Sequence, residues 1–205
     1  MSGLVVGVLA SGVGTNLQAI IDTVHGRDGI AIAGVAGDHP GAPALARARA
    51  AGIDAAAFEL AAHPDRTARD LAMADWLQAR RVGLVVLAGY MQLLRAGFLA
   101  RFPSAVINVH PALLPAFPGL RAVEQAVDHG VKVFGVTVHF VDEGVDSGPI
   151  ILQRAIELPD ADSAPAVHAR LQPIEHELLP EAIRLFARGA LSFDPENRRR
   201  VHVAR

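Results

Sequence analysis

Asn108, Val109, His110 and Pro111 close an apolar run made of Ala105, Val106 and Ile107. Side chains at i and i+2 of a strand share a face about 7 Å apart, so Asn108 and His110 are predicted to point the same way at a strand's end. An amide donor beside an imidazole suits a reaction that builds negative charge on an oxygen and moves a proton near neutral pH. The acid that could serve them is Asp146, in the loop Asp142-Glu143-Gly144-Val145-Asp146-Ser147-Gly148. Asp142 and Glu143 read as ordinary solvated turn residues. Asp146 lies between Val145 and the small pair Ser147-Gly148, and if the loop folds over the strand end its carboxylate would favour the charged imidazole. Two plainer readings stay open: a hydrogen-bonded core histidine, or a metal held by His110, His139 and Asp146. None of those spacings is a recognised ligand pattern.

A second chemical feature is Ser11-Gly12-Val13-Gly14-Thr15-Asn16, between a strand-like and a helix-like segment. Glycines let the backbone approach a ligand, and free N–H groups at a helix start attract an anion. One phosphate could sit there, with hydrogen bonds from Thr15 and Asn16. No Lys-Ser/Thr pair makes it a P-loop, and Leu17 stands where a dinucleotide fingerprint needs its third glycine. A tight turn with Thr15 or Asn16 as cap explains the same residues.

These side chains must be positioned by alternating strands and helices. Strands are predicted over 4–10, 30–36, 84–87, up to His110, 135–141 and 149–156, and helices over 15–23, 42–51, 65–80, 96–101 and 163–189. In the 65–80 helix, Leu71, Met73, Trp76 and Leu77 face inward and Arg or Asp outward. Pro173 and Pro180 are expected to kink or divide the last helix. The alternation argues for α/β: a single domain with a mostly parallel twisted sheet and helices on both faces. Residues 191–205 form a C-terminal tail whose stretch from Asn197, with Arg198, Arg199 and Arg200, is charged and predicted to fray.

The 205 residues are 51% hydrophobic and carry a net charge of -2, so no basic footprint points to nucleic acid. Without cysteine, there is no thiolate metal site, disulfide or cysteine nucleophile. No signal peptide or membrane span is read, and a soluble cytoplasmic protein is the expectation.

Five blocks then stop looking generic: residues 11–22 (Ser-Gly-Val-Gly-Thr-Asn-Leu-Gln-Ala-Ile-Ile-Asp), 86–91 (Val-Leu-Ala-Gly-Tyr-Met), 108–115 (Asn-Val-His-Pro-Ala-Leu-Leu-Pro), 137–141 (Thr-Val-His-Phe-Val) and 145–153 (Val-Asp-Ser-Gly-Pro-Ile-Ile-Leu-Gln). In that order they closely resemble the phosphoribosylglycinamide formyltransferase family, over residues 4 to 190. The resemblance implies a formyltransferase-like variant of the Rossmann fold, with the domain bounded at 1–190 and a late antiparallel strand. It also implies formyl transfer from 10-formyltetrahydrofolate to the glycine amine of 5-phosphoribosylglycinamide in purine synthesis. By position, Asn108, His110 and Asp146 match the catalytic residues, and Val13, Gly14, Thr15 and Asn16 the segment that holds the substrate phosphate. Glu175 matches a glutamate on the substrate's amine side.

Folate contacts carry over to Arg66, Met91, Gln92, Leu93, Leu94 and Asn108, with walls from Leu87 and Val106 and closure by the 142–147 loop. His139 is expected to border the site without doing chemistry, and Leu114-Pro115 is a candidate cis bond. No metal is expected. The partners implied are small molecules only, with the chain a monomer or homodimer. Gln92 replaces a family arginine, Ala112 a common serine and Val123 a frequent histidine, so side-chain contacts at Gln92 are in doubt. Three other readings remain: transfer to another amine such as a sugar nucleotide, hydrolysis of formylfolate, and a folate- or phosphate-binding module without turnover.

Overall fold

The computed structural model describes residues 3–204. Contacts divide the chain into two compact units, residues 1–107 and 108–205. In the first, β1 (Leu4–Leu9) pairs in parallel with β2 (Ile30–Gly37) on one side and with β4 (Leu84–Leu87) on the other, and β2 pairs with β3 (Ala55–Ala57). β4 is buried throughout and β1 over its last four residues, and the continuous Val/Leu runs are what a strand covered on both faces requires. Helices α1 (Thr15–Thr23), α2 (Pro43–Ala50), α3 (Arg66–Ala79) and the short α4 (Ala96–Leu99) fill the connections.

α3 begins at Asp65, whose side chain accepts from the Ala68 N–H at 2.8 Å, and buries Met73 and Leu77 as the periodicity predicts. One expectation fails there. Arg69 and Asp70 do not face outward; they are 1% and 0% exposed. Arg69 Nε and Nη2 donate to Asp70 Oδ1 at 3.0 and 2.7 Å, and the Arg95 N–H donates to Asp70 Oδ2 at 2.9 Å. Two charges buried next to each other satisfy one another, so polarity alone did not place them at the surface.

β5 (Val106–His110) begins in the first unit and ends in the second. There follow α5 (Ala122–Asp128), β6 (Val133–Phe140) and β7 (Ile150–Glu157), and β7 runs antiparallel to β6 as the late strand was expected to do. The α/β class with a mostly parallel sheet therefore holds. α6 (Ala164–Ala187) packs against β6 and β7 with Val167, Leu171, Ile174, Leu178 and Ile183 buried. Pro173 and Pro180 lie inside it, but the helix is one element and is not divided.

The tail corrects a second expectation. Instead of fraying, β9 (Val201–Val203) pairs with β8 (Leu191–Phe193), and the Ala204 N–H donates to Ala190 O at 2.8 Å. Phe193 packs on Phe140 with ring centroids 5.0 Å apart and the rings tilted by 40°, which supplies the apolar anchor that the tail's charge concealed. β3, α5 and these tail strands had no strong sequence signal: three alanines, a seven-residue helix and two three-residue strands are too short to show a period.

Candidate active site

The strand β5 places Asn108 and His110 on one face as its two-residue period dictates, His110 buried and Asn108 partly so. After His110 the chain doubles back. Thr137 on β6 pins the return, donating to Ala112 O at 2.6 Å and accepting from the Leu114 N–H at 3.1 Å. Gln153 on β7 donates to Leu114 O and to Thr137 Oγ1, both at 2.9 Å. This loop presses onto the sheet at Gly135, where a Cβ would lie 2.4 Å from Leu113 Cδ2 and 2.5 Å from Arg154 O. Only glycine admits that approach. The Leu114-Pro115 bond is cis.

Folded in this way, the loop delivers two backbone groups that no residue type or spacing singles out. The Phe117 carbonyl accepts at His110 Nε2, 2.8 Å away, and the Gly119 N–H donates to Asp146 Oδ2 at 2.7 Å. Asp146 Oδ2 also lies 3.3 Å from His110 Nδ1. Both ring nitrogens of His110 thus face acceptors, an arrangement satisfied in full only by an imidazolium donating from each. Asp146 has φ 50, a left-handed backbone that aspartate tolerates better than most residues.

The other carboxylate oxygen, Asp146 Oδ1, is 3.4 Å from Asn108 Nδ2 and 3.6 Å from His139 Nε2. Asn108 Nδ2 is 3.2 Å from that same His139 nitrogen, and His139 Nδ1 is 2.8 Å from Phe140 O. His139 therefore borders the cluster and touches the Asn108 amide. Burial works to raise the Asp146 carboxyl. The His139 hydrogen bond, the Gly119 N–H and the charges of His110 and His139 outweigh it and hold Asp146 at about 2. It is an anion under all ordinary conditions, wedged between an imidazole and an amide donor. Such a cluster can stabilise an oxyanion and pass a proton. Among the described residues no group of three or more His, Cys, Asp or Glu could hold a metal.

Glu175 lies half-buried on α6, in the same unit. The remaining candidates belong to the first unit. Gly14 caps α1 in a left-handed conformation, φ 79, and Val13 beside it is exposed. Gly14 offers no capping side chain and no acidic residue occupies the first turn of α1, so no carboxylate stands against the positive end of the helix there. Thr15 opens α1 and Asn16 is buried in its first turn.

Met91 and Leu93 follow β4 and are 59% and 58% exposed, far more than apolar packing alone would leave them. The Met91 N–H donates to Ser11 Oγ at 3.0 Å. Gln92 does not point free into a pocket: its Nε2 donates to Asp38 Oδ2 at 3.1 Å. Burial raises the Asp38 carboxyl, but bonds from His39, Gln92 and Ser11 leave it below its ordinary value. Leu94 is half-buried, Leu87 and Val106 are core, and Arg66 is exposed in the first turn of α3.

Comparison with known proteins places the chain in a family. The formyl transferase family pattern matches residues 5–183. The chain is 42% identical to a phosphoribosylglycinamide formyltransferase of Bacillus subtilis, covering 86% of this chain and 91% of that one. It is 41% identical to the enzyme of the same name from Haemophilus influenzae, over 91% and 88% of the two chains. The crystal structure of glycinamide ribonucleotide transformylase 1 from Symbiobacterium toebii superposes with a TM-score of 0.95 at 51% identity, covering all of this chain and 95% of that one.

Proposed function

The chain belongs to the formyl transferase family, and on that premise we propose that it moves a formyl group from 10-formyltetrahydrofolate to the glycine amine of 5-phosphoribosylglycinamide, a step of purine synthesis. The observation that carries the reading is the convergence of Asn108 and His110 on Asp146, at 3.4 and 3.3 Å from its two carboxylate oxygens.

In the proposed reaction the acceptor amine attacks the formyl carbon and the carbonyl oxygen becomes an oxyanion. Asn108 and the protonated His110 donate to it. Asp146 keeps His110 charged through Nδ1, and the Gly119 N–H fixes the carboxylate so that it need not reorganise during the step. The Phe117 carbonyl occupies the acceptor position at His110 Nε2, and that donor is surrendered to the oxyanion as charge develops. The tetrahedral intermediate collapses by breaking the bond from carbon to the folate N10. The proton lost by the amine reaches that nitrogen by way of His110 and water. The products are the formamide and tetrahydrofolate.

Val13 to Asn16 receive the acceptor phosphate, and Glu175 holds the acceptor on its amine side. Arg66, Met91, Gln92, Leu93 and Leu94, together with Asn108, take the folate. The exposed Met91 and Leu93 side chains support an apolar ligand there. Gln92, committed to Asp38, contributes backbone groups rather than a cation. Among the described residues no helix is long and apolar enough to cross a membrane.

The test is folate deformylation followed spectrophotometrically with both substrates, with each alone, and with His110→Ala. Turnover that needs the ribonucleotide and collapses in the variant, with folate affinity retained, is the expected result. Deformylation without the ribonucleotide would instead indicate a hydrolase.

A further inference from the structure

Arg47, on α2, has no part in the reaction described so far. Its Nε donates to the carbonyl of Val13 at 2.8 Å and its Nη1 to Gln18 Oε1 at 3.1 Å. Both acceptors are neutral, and the described residues offer its guanidinium no carboxylate within ion-pair distance. A guanidinium has five N–H donors, so three of Arg47's have no acceptor among the described residues.

The glycine loop rests directly on the same helix. A Cβ at Gly14 would lie 2.8 Å from Ala44 Cβ and 2.9 Å from Ala44 Cα, and the Ala44 N–H donates to Gly12 O at 3.1 Å. The carbonyls of Gly12 and Val13 are therefore both tied to α2. An anion arriving at the start of α1 would otherwise meet the negative end of the Val13 peptide; the Arg47 bond holds that oxygen. Meanwhile the arginine's charge stands one residue from Gly14, beside a helix start that has no acidic residue in its first turn.

We propose that Arg47 is a positioning residue for the phosphate of the acceptor, fixing the Val13 carbonyl and adding a cation to the helix N–H groups. The proposal rests on the assignment of the phosphate to Val13–Asn16 made above. Gln18 sets the guanidinium's orientation from α1, so a compact ammonium cannot replace both bonds.

The experiment compares phosphoribosylglycinamide with its unphosphorylated riboside as acceptors for the wild type, Arg47→Ala and Arg47→Lys. In Arg47→Ala, kcat/KM for the phosphorylated acceptor is expected to fall about 10- to 100-fold, the span of a charge-assisted hydrogen bond, through KM rather than kcat. The riboside and the KM for formylfolate are expected to move little. Arg47→Lys, which keeps the charge and loses the two-point hold, falls in between and guards against a misfolded alanine variant. An equal loss on both acceptors in both variants would overturn the proposal and make Arg47 a structural brace only. A wild type that does not prefer the phosphorylated acceptor would overturn the phosphate assignment itself, and Arg47's role with it.

Discussion

Replacing Asp146 by Asn tests the site most severely, because the carboxylate serves four neighbours at once. If the new amide keeps its oxygen toward the Gly119 N–H, its NH2 faces Asn108 Nδ2, where the carboxylate oxygen was 3.4 Å away. If it turns over, two donors meet at the Gly119 contact. Either way one donor is opposed by another, and His110 loses its anion. The rate is expected to fall about 100- to 10,000-fold, the range for removing a charge-orienting group from a preorganised site.

The same substitution has a signature in stability. A carboxyl held at about 2, from an ordinary 3.8, contributes on the order of 2 kcal/mol at neutral pH. Solvent at the partly exposed side chain trims this to about 1–2 kcal/mol. Because the folded value lies below the unfolded one, the contribution is complete well above pH 4 and fades as pH falls toward 2; about half is gone by pH 3. Urea unfolding of the wild type and Asp146→Asn at pH 7 and pH 3 should therefore show a stability gap that narrows by about 0.5–1 kcal/mol. A gap that does not change with pH, or a variant within about threefold of wild-type turnover, would refute the reasoning about Asp146.

Asn108→Ala removes one oxyanion donor and should cut kcat about 100- to 1000-fold, and because Asn108 also touches the folate it should weaken the folate dissociation constant, read by fluorescence titration, by a far smaller factor. Arg69→Ala strands the Asp70 charge in a fully buried position and should destabilise the protein by about 3–5 kcal/mol in urea unfolding. Gly135→Ala drives a methyl into Leu113 and the Arg154 carbonyl. It should cost about 1–3 kcal/mol and, by lifting the loop that carries Phe117 and Gly119, also lower turnover; a variant that loses stability but keeps full activity would separate that loop from the site.

The strand at 106–110 and its paired side chains were legible from residue types alone, since a two-residue period leaves Asn108 and His110 no choice but a shared face. The buried β4, the length of α6 and the two late strands were legible for similar reasons: their periodicity is local. Arg69 and Asp70 were misread because burial of charge depends on a partner, and a pattern of single residues does not show partners. The stretch from Asn197 was misread because its charge outweighed Val201 and Val203, which pair with a strand whose Phe193 is anchored on Phe140, far away along the chain. The resemblance named Asp146, but the contacts that make it an anion at about 2 come from Gly119, His110 and His139, brought to it by the folding of three separate segments. The sequence by itself determined which elements form and which chemical groups stand at their ends, because these follow from local sterics and alternation. The tertiary structure alone decided which backbone carbonyl and N–H complete the site, because every residue carries both groups and only the path of the chain selects one of each.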